Sequence, residues 1–355
     1  MLRSGAHRRV DDRRHPADQI GPARRGLMRL TTRERVHALI EPFVIARKTY
    51  TEALVVEVEI EADGVIGRGE AAGVDYRGDT PDRMLRQLRE VAEGLDRGET
   101  LDRAVLAARL PPGGARNAVD CALWDLEAKR SGVSAAARAG LAPLRPVETF
   151  VTLGMDTPAA MGAKAARWAE RYGALKVKLG DADDMARLDA IRSAAPRARL
   201  IADANQGWTL AQLNDRAPRM ARMGVELLEQ PLPVGRDDEL LDYRGAVPLC
   251  ADESLDDRAD LDRVVGRYAF CNIKLDKAGG LTEALALAKA ARERGLRLMV
   301  GCMEGTSLGI APALLLAQGC EIVDLDCPMQ LVRDVDGGFG YRDGWLRPNG
   351  PDLWG

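Results

Sequence analysis

From residue 146 onward the chain alternates short apolar runs with longer stretches of helical periodicity. Eight runs stand out: "TFVTLG", "LKVKLG", "RLIADAN", "VELLEQP", "VPLCADES", "FCNIKLD", "LRLMVGC" and "EIVDLD". Between them lie amphipathic segments such as "LTEALALAKAARERG". Nearly continuous apolar runs are what strands buried on both faces look like. Their alternation with helices predicts a parallel sheet with right-handed crossovers. In the second run, Lys176 and Lys178 take one face and Leu175, Val177 and Leu179 the other, because side chains alternate along a strand. A buried ammonium is costly, so an inward-facing lysine pair needs a chemical reason to be there.

Polar residues at the ends of the runs decide between an open sheet and a barrel. Asp203, Glu229, Asp252 and Lys274 follow Lys178 at intervals of 25, 26, 23 and 22 residues, each at or near the C-terminal end of its strand. A TIM-type barrel builds its active site in this way, so residues 146–326 are expected to form one. With "TFVTLG" as the first strand, the lysine pair is on the second and Lys274 on the sixth, diametrically opposed across the mouth.

Residues 28–145 have a different texture. The strand-like "MRLTTRERVHAL", "EALVVEVEIEADG" and "VIGRGEAAG" precede helical segments including "GARNAVDCALWDLEAKRSG", which predicts a separate α+β domain. Residues 327–355, rich in Gly and Asp, are expected to return toward it. Residues 1–27 are charged and poor in apolar side chains, the composition of a disordered tail; they lack the apolar stretch of a secretory signal.

Composition narrows the function classes. A chain of 355 residues with 46% hydrophobic content supplies a sizeable core. Net charge is −3 with Lys and Arg scattered, which argues against nucleic acid, and no apolar run approaches membrane-spanning length. The six cysteines are isolated, with no C-x-x-C pair, which suits free thiols in a reducing compartment and makes the cytoplasm the expected location. The expected partner is a small molecule, with a homo-oligomer left open.

Asp203, Glu229 and Asp252 on consecutive strands form an all-oxygen cluster, the preference of a hard divalent cation such as Mg²⁺. A metal flanked by two opposed lysines suits removal of a proton beside a carboxylate: the metal stabilises the developing charge and a neutral amine takes the proton. Burial and the neighbouring cation Lys176 are expected to disfavour the ammonium form of Lys178, so that Lys176 tunes and Lys178 acts.

Together, "LKVKLG", "IADANQGW", "LLEQPLP", "ADES", "NIKLDKAGGLTEALALA", "GCMEGTSLG" and "VDLD" resemble the muconate-lactonizing subgroup of the enolase superfamily, most nearly its dipeptide epimerases. The resemblance covers nearly everything from Met28 onward. It implies a modified (β/α)7β form of the (β/α)8-like barrel under an N-terminal α+β capping domain. It implies 1,1-proton transfer at the α-carbon of the C-terminal residue of a dipeptide such as L-Ala-D/L-Glu, a murein peptide. The implied roles are Mg²⁺ on Asp203, Glu229 and Asp252; acid/base lysines at Lys178 and Lys274; and support from Lys176, Asn205 and Glu253, the last as partner of Lys274. Asp324 and Asp326 would meet the substrate ammonium, Cys302 and Met303 would line the substrate, and Arg47 in "PFVIARKTYTEA" would greet an acidic substrate side chain. The second covering loop, "DYRGD", departs from the R-Y-G-E of relatives, so for Arg77 substrate contact and solvation stand level.

Rival readings are weaker. "GTSLG" matches the nucleophile-elbow pattern around Ser307, but the only histidines, His7, His15 and His37, all precede it. Cycloisomerisation or o-succinylbenzoate synthase-like dehydration would use the same lysines and metal, yet those substrates lack an ammonium for the D-x-D. A nonenzymatic binding module would show neither metal affinity nor proton exchange.

Overall fold

The computed structural model describes residues 28–348 and 352–355; the expected tail at 1–27 lies outside the described residues. Three antiparallel strands begin the described residues: β1 (Arg29–Ile45), β2 (Lys48–Ala62) and β3 (Val65–Ala71), in the order β1-β2-β3. Alternation explains their one-sided burial. Val56, Val58, Ile60 and Ala62 face a helical layer, whereas Glu57 and Glu59 turn outward toward Arg35 and Arg33. That layer is α1 (Pro81–Asp96), α2 (Arg103–Arg109) and α3 (Gly114–Ser131). Thr80 caps α1 with Pro81 in its first turn, and Met84, Leu88, Val91 and Leu95, three to four residues apart, form its buried stripe.

After the two-residue β4 (Val147–Glu148), eight parallel strands follow: β5 (Val151–Leu153), β6 (Ala174–Lys178), β7 (Arg199–Asp203), β8 (Val225–Glu229), β9 (Leu249–Ala251), β10 (Phe270–Ile273), β11 (Arg297–Gly301) and β12 (Ile322–Asp324). Each pairs with its sequence neighbours, and the Phe150 amide donates to Val323 O at 2.9 Å, bringing the two ends of the sheet together. The crossovers differ from a uniform βα repeat. Those after β8 and β9 carry only short helical turns, Asp237–Leu240 and Arg258–Asp260 with Leu261–Val264, and β12 runs into the turn Cys327–Gln330.

The inward faces are layered. Phe150, Ala174, Ile201, Leu227, Cys250, Phe270, Met299 and Ile322 form one buried apolar cluster, a floor with one contribution per strand. Two residues further along each strand the identities become Thr152, Lys176, Asp203, Glu229, Asp252, Asn272, Gly301 and Asp324. Period-two alternation thus stacks a polar ring on an apolar floor. Gly301 is required by crowding: a Cβ there would lie 2.8 Å from both Asn272 Nδ2 and Oδ1.

The first domain is bound to the barrel at several places. Val44 O accepts from the Met155 amide at 2.7 Å, setting the β1–β2 tip beside the mouth. From α3, Trp124 Nε1 donates to Thr282 Oγ1 at 2.9 Å and Arg116 donates to the carbonyls of Ala278 and Gly279 at 2.6 and 3.0 Å. Glu70 of β3 accepts from the Thr306 amide and hydroxyl at 2.8 and 2.5 Å. The last segment contributes β13 (Gly340–Arg342) and β14 (Trp345–Arg347), the latter paired with β4, and then reaches α3, where Trp354 Nε1 donates to Cys121 O.

Candidate active site

Lys176 and Lys178 face inward, as strand alternation predicts, and meet carboxylates from neighbouring strands. Lys178 and Asp203 are register partners across β6 and β7, and Lys178 Nζ donates to Asp203 Oδ2 at 2.7 Å. Lys176 Nζ sits 2.6 Å from Asp324 Oδ2, 2.7 Å from Glu229 Oε2 and 3.5 Å from Asp203 Oδ2. On the far wall, Lys274 Nζ donates to Asp252 Oδ2 at 2.8 Å. Burial disfavours the ammonium form of Lys176 and Lys274. The carboxylates outweigh it, Asp324 and Glu229 for Lys176, Asp252 and Glu229 for Lys274, and both amines are held well above the ordinary lysine range.

The acids respond in opposite senses. Burial works against ionised Asp203 and Asp252, but Lys178 and Lys176 hold the first low, and Lys274 and Lys277 hold the second well below the ordinary range. Glu229 moves the other way, pushed up to about 8 by burial and then by Asp203. Glu229 is thus the one of the three carboxylates that burial and its neighbours drive toward the protonated form. Asn205 Oδ1 is buried and accepts no hydrogen bond; neither does Glu229 Oε2, despite its nearness to Lys176. An all-oxygen set with orphaned acceptors fits a hard divalent cation on Asp203, Glu229 and Asp252. Their oxygens do not gather within 4.8 Å of one another, and each acid is engaged by a lysine instead.

The remaining predicted residues line the same pocket, except where their bonds differ from expectation. Arg47, Asn205, Glu253, Cys302, Met303, Asp324 and Asp326 all border it. Glu253 was expected to partner Lys274; its Oε1 instead accepts from Arg47 at 2.9 Å and Asn205 Nδ2 at 3.5 Å, while Lys274 takes Asp252. The strand-end loop forces this, since Glu253 follows Asp252 by one residue and its side chain meets the β1–β2 tip. Asn205 holds a left-handed φ of 41° and uses its amide and side chain on Asp203 at 2.8 and 3.2 Å. Asp326 accepts from the Thr152 amide at 2.7 Å. Arg77 bonds Glu253 O at 2.8 Å and Asp256 at 3.0 Å, so it ties its loop to the barrel. Ser307 is engaged structurally, donating to Asp334 and accepting from the Phe339 amide.

Sequence reasoning missed three inward groups. Asn272 donates to Glu229 Oε1 at 2.7 Å, and Lys277 Nζ lies 2.5 Å from both Asp252 O and Oδ1. Both were signalled by spacing, Asn272 two residues before Lys274 on the same strand face and Lys277 three residues after it at the start of a helical turn. Glu304, within the quoted "GCMEGTSLG", also lines the pocket, and burial raises its carboxyl.

Comparison with known proteins places this geometry in a family. Residues 28–138 match the mandelate racemase / muconate lactonizing enzyme N-terminal domain, and residues 160–351 match the enolase C-terminal domain-like family. The chain belongs to this family. It is 43% identical over 314 residues to the L-Ala-D/L-Glu epimerase of Escherichia coli K12, covering 88% of this chain and 97% of that protein. An N-acetyl-D-glutamate racemase of Pseudoalteromonas is 44% identical over 246 residues, covering 69% of this chain and 78% of that protein. Among solved structures, an enolase family member from Agrobacterium tumefaciens with bound sodium and L-Ala-L-Glu superposes with TM-score 0.89 at 43% identity, covering 92% of this chain and all of that one. A Methylococcus capsulatus dipeptide epimerase complexed with Mg and L-Arg-D-Lys gives 0.84 at 33% identity, covering 92% and 98%. The relatives of this mandelate racemase / muconate lactonizing enzyme family member are thus epimerases and racemases of amino-acid derivatives. Among the described residues no helix is long and apolar enough to cross a membrane.

Proposed function

We propose that the protein is a divalent-cation-dependent dipeptide epimerase that inverts the α-carbon of the second residue, with glutamate preferred there. The observation that carries this reading is the placement of Lys178 and Lys274 on opposite walls of one ring whose intervening strands supply Asp203, Glu229 and Asp252. Lys178 and Lys274 would address opposite faces of the α-carbon: one takes the proton, the other returns it on the far side. Which lysine serves which epimer is set by how the substrate lies. Mg²⁺ held by the three carboxylates would supply charge stabilisation for the substrate carboxylate as its α-proton leaves.

The chain's other residues bind and orient. Asp326 and Asp324 line the pocket and would meet a dipeptide's ammonium, a requirement absent from cycloisomerase or dehydratase substrates. Arg47, at the β1–β2 tip, has a guanidinium that already bonds one carboxylate and can exchange it for a substrate carboxylate. Glutamate recurs in the names of the E. coli and Pseudoalteromonas relatives, which supports that preference.

Incubating the protein and Mg²⁺ in D₂O with a dipeptide library and reading mass tests the reading. Uptake of a single deuterium, with inversion of the second residue and the greatest rate for Ala-Glu, is expected. No exchange with any dipeptide would sink it.

A further inference from the structure

Beside the candidate active site two thiols stand closer than nonbonded atoms normally rest. Cys302 follows the last residue of β11, and Cys327 follows Asp326 in the turn after the adjacent strand β12. Their sulfurs are 2.7 Å apart, inside the roughly 3.5–4.0 Å of ordinary heavy-atom contact. An S–S bond is about 2.05 Å long, so closing it takes a movement of well under 1 Å. The other cysteines are not so placed. Cys250 and Cys271 occupy neighbouring strands but opposite faces, Cys250 in the apolar floor and Cys271 in the outer core.

We infer that Cys302 and Cys327 form a reversible disulfide that couples the site to oxidation by peroxide. Cys302 is partly exposed and lines the pocket, so a small oxidant entering by the mouth meets it first. The step balances in two parts. The Cys302 sulfur attacks the peroxide O–O bond, giving a sulfenic acid and water. The Cys327 thiol then attacks that sulfur, forming the S–S bond and releasing a second water, so that two thiols are oxidised and one peroxide reduced.

Closure acts on the site through two neighbours. Cys302 Sγ donates to Asp324 O at 3.3 Å, a bond that oxidation removes. Cys327 adjoins Asp326, which is held to Thr152, so drawing Cys327 toward β11 strains the acid pair. In a reducing compartment the dithiol is the resting form and the disulfide a transient one.

The test uses the full chain. Reduced protein is exposed to hydrogen peroxide, free thiols are alkylated under denaturing conditions, and peptides are mapped without reductant. A Cys302–Cys327 cross-linked peptide that appears before any other cysteine changes, and disappears with dithiothreitol, is expected. Only the activity arm rests on the epimerase reading: wild-type turnover should fall about tenfold in step with the cross-link and recover on reduction. Cys327→Ser, or Cys327→Ala if serine disturbs folding, should turn over normally while reduced and form no cross-link, its Cys302 stopping at the sulfenic acid. In the wild type, six alkylatable thiols after treatment, a link between other cysteines, Cys302 oxidised without a link, or thiols that stay reduced and instead bind added Zn²⁺ would each overturn the inference. The peptide map decides even if no dipeptide proves to be a substrate.

Discussion

Lys176 Nζ lies 2.6 Å from Asp324 Oδ2, joining the second strand of the barrel to the eighth. Asp324 therefore already has a cation, whereas among the described residues Asp326 bonds only the neutral groups of Thr152 and Gln330. The two members of the D-x-D are not equivalent: Asp326 is the acid with charge to offer a substrate ammonium.

Asp326→Asn is accordingly expected to raise KM for dipeptides with a free ammonium by about 10- to 100-fold, the loss of one charge-assisted hydrogen bond. Burial and Asp324 push Asp326 up to about 7, so it is protonated below that pH and ionised above it. Wild-type KM should fall as pH rises from 6 to 8, and the Asn variant should lose that trend. A variant with unchanged KM and pH profile would assign the ammonium elsewhere.

Lys178→Ala and Lys274→Ala should each abolish epimerisation, with losses of at least about 10²–10⁴-fold. Each is expected to retain α-proton exchange in D₂O for one epimer only, and the retained epimer should differ between the two. Chiral chromatography with mass detection of each pure epimer checks this. Interconversion at near wild-type rate in either variant would replace the two-base scheme with a one-base reaction.

Chelator-stripped protein should lose turnover and regain it with Mg²⁺. Glu229→Gln, which removes one of the three charges, should raise the Mg²⁺ concentration needed for half activity. Isothermal titration with Mg²⁺ gives an independent reading. Full turnover after stripping would sink the assignment of the trio.

Glu70 makes stability pH-dependent. Burial pushes it up to about 7 from an ordinary 4.5, outweighing its bonds to Thr306. A carboxyl that keeps its proton in the folded state but loses it in the unfolded one stabilises fully below the unfolded value. That contribution is lost as pH rises through the folded one. Wild type should lose up to about 3 kcal/mol from this group between pH 4.5 and 7. The difference between wild type and Glu70→Gln in urea unfolding should trace that slope; a constant difference over this range would refute it.

The barrel and its acid/base residues were legible because their signal is local. A strand period of two and a recurrence of about two dozen residues place Lys178, Asp203, Glu229, Asp252 and Lys274 without any tertiary knowledge. What escaped depends on contacts between distant segments. Glu253 lies beside Asp252 in sequence, yet its bond is to Arg47, 206 residues away. Glu70 meets Thr306 across the domain junction, and β14 pairs with β4 although the whole barrel segment separates them in sequence. Lys277 and Asn272 sat within reach of spacing arguments but looked like ordinary polar neighbours until Asp252 and Glu229 were seen to face them.

The apolar floor beneath the polar ring has a kinetic meaning. All eight of its side chains are nearly or completely inaccessible, so among the described residues the floor closes the far end of the site and leaves passage at the rim where the β1–β2 tip sits. A molecule that has reacted must leave by the path it entered. In a reaction whose product is itself the substrate, a slow departure lets the same molecule be inverted again. Net conversion per visit then depends on how residence compares with proton transfer: a site that holds its ligand too long scrambles the stereocentre before release, however fast its chemistry.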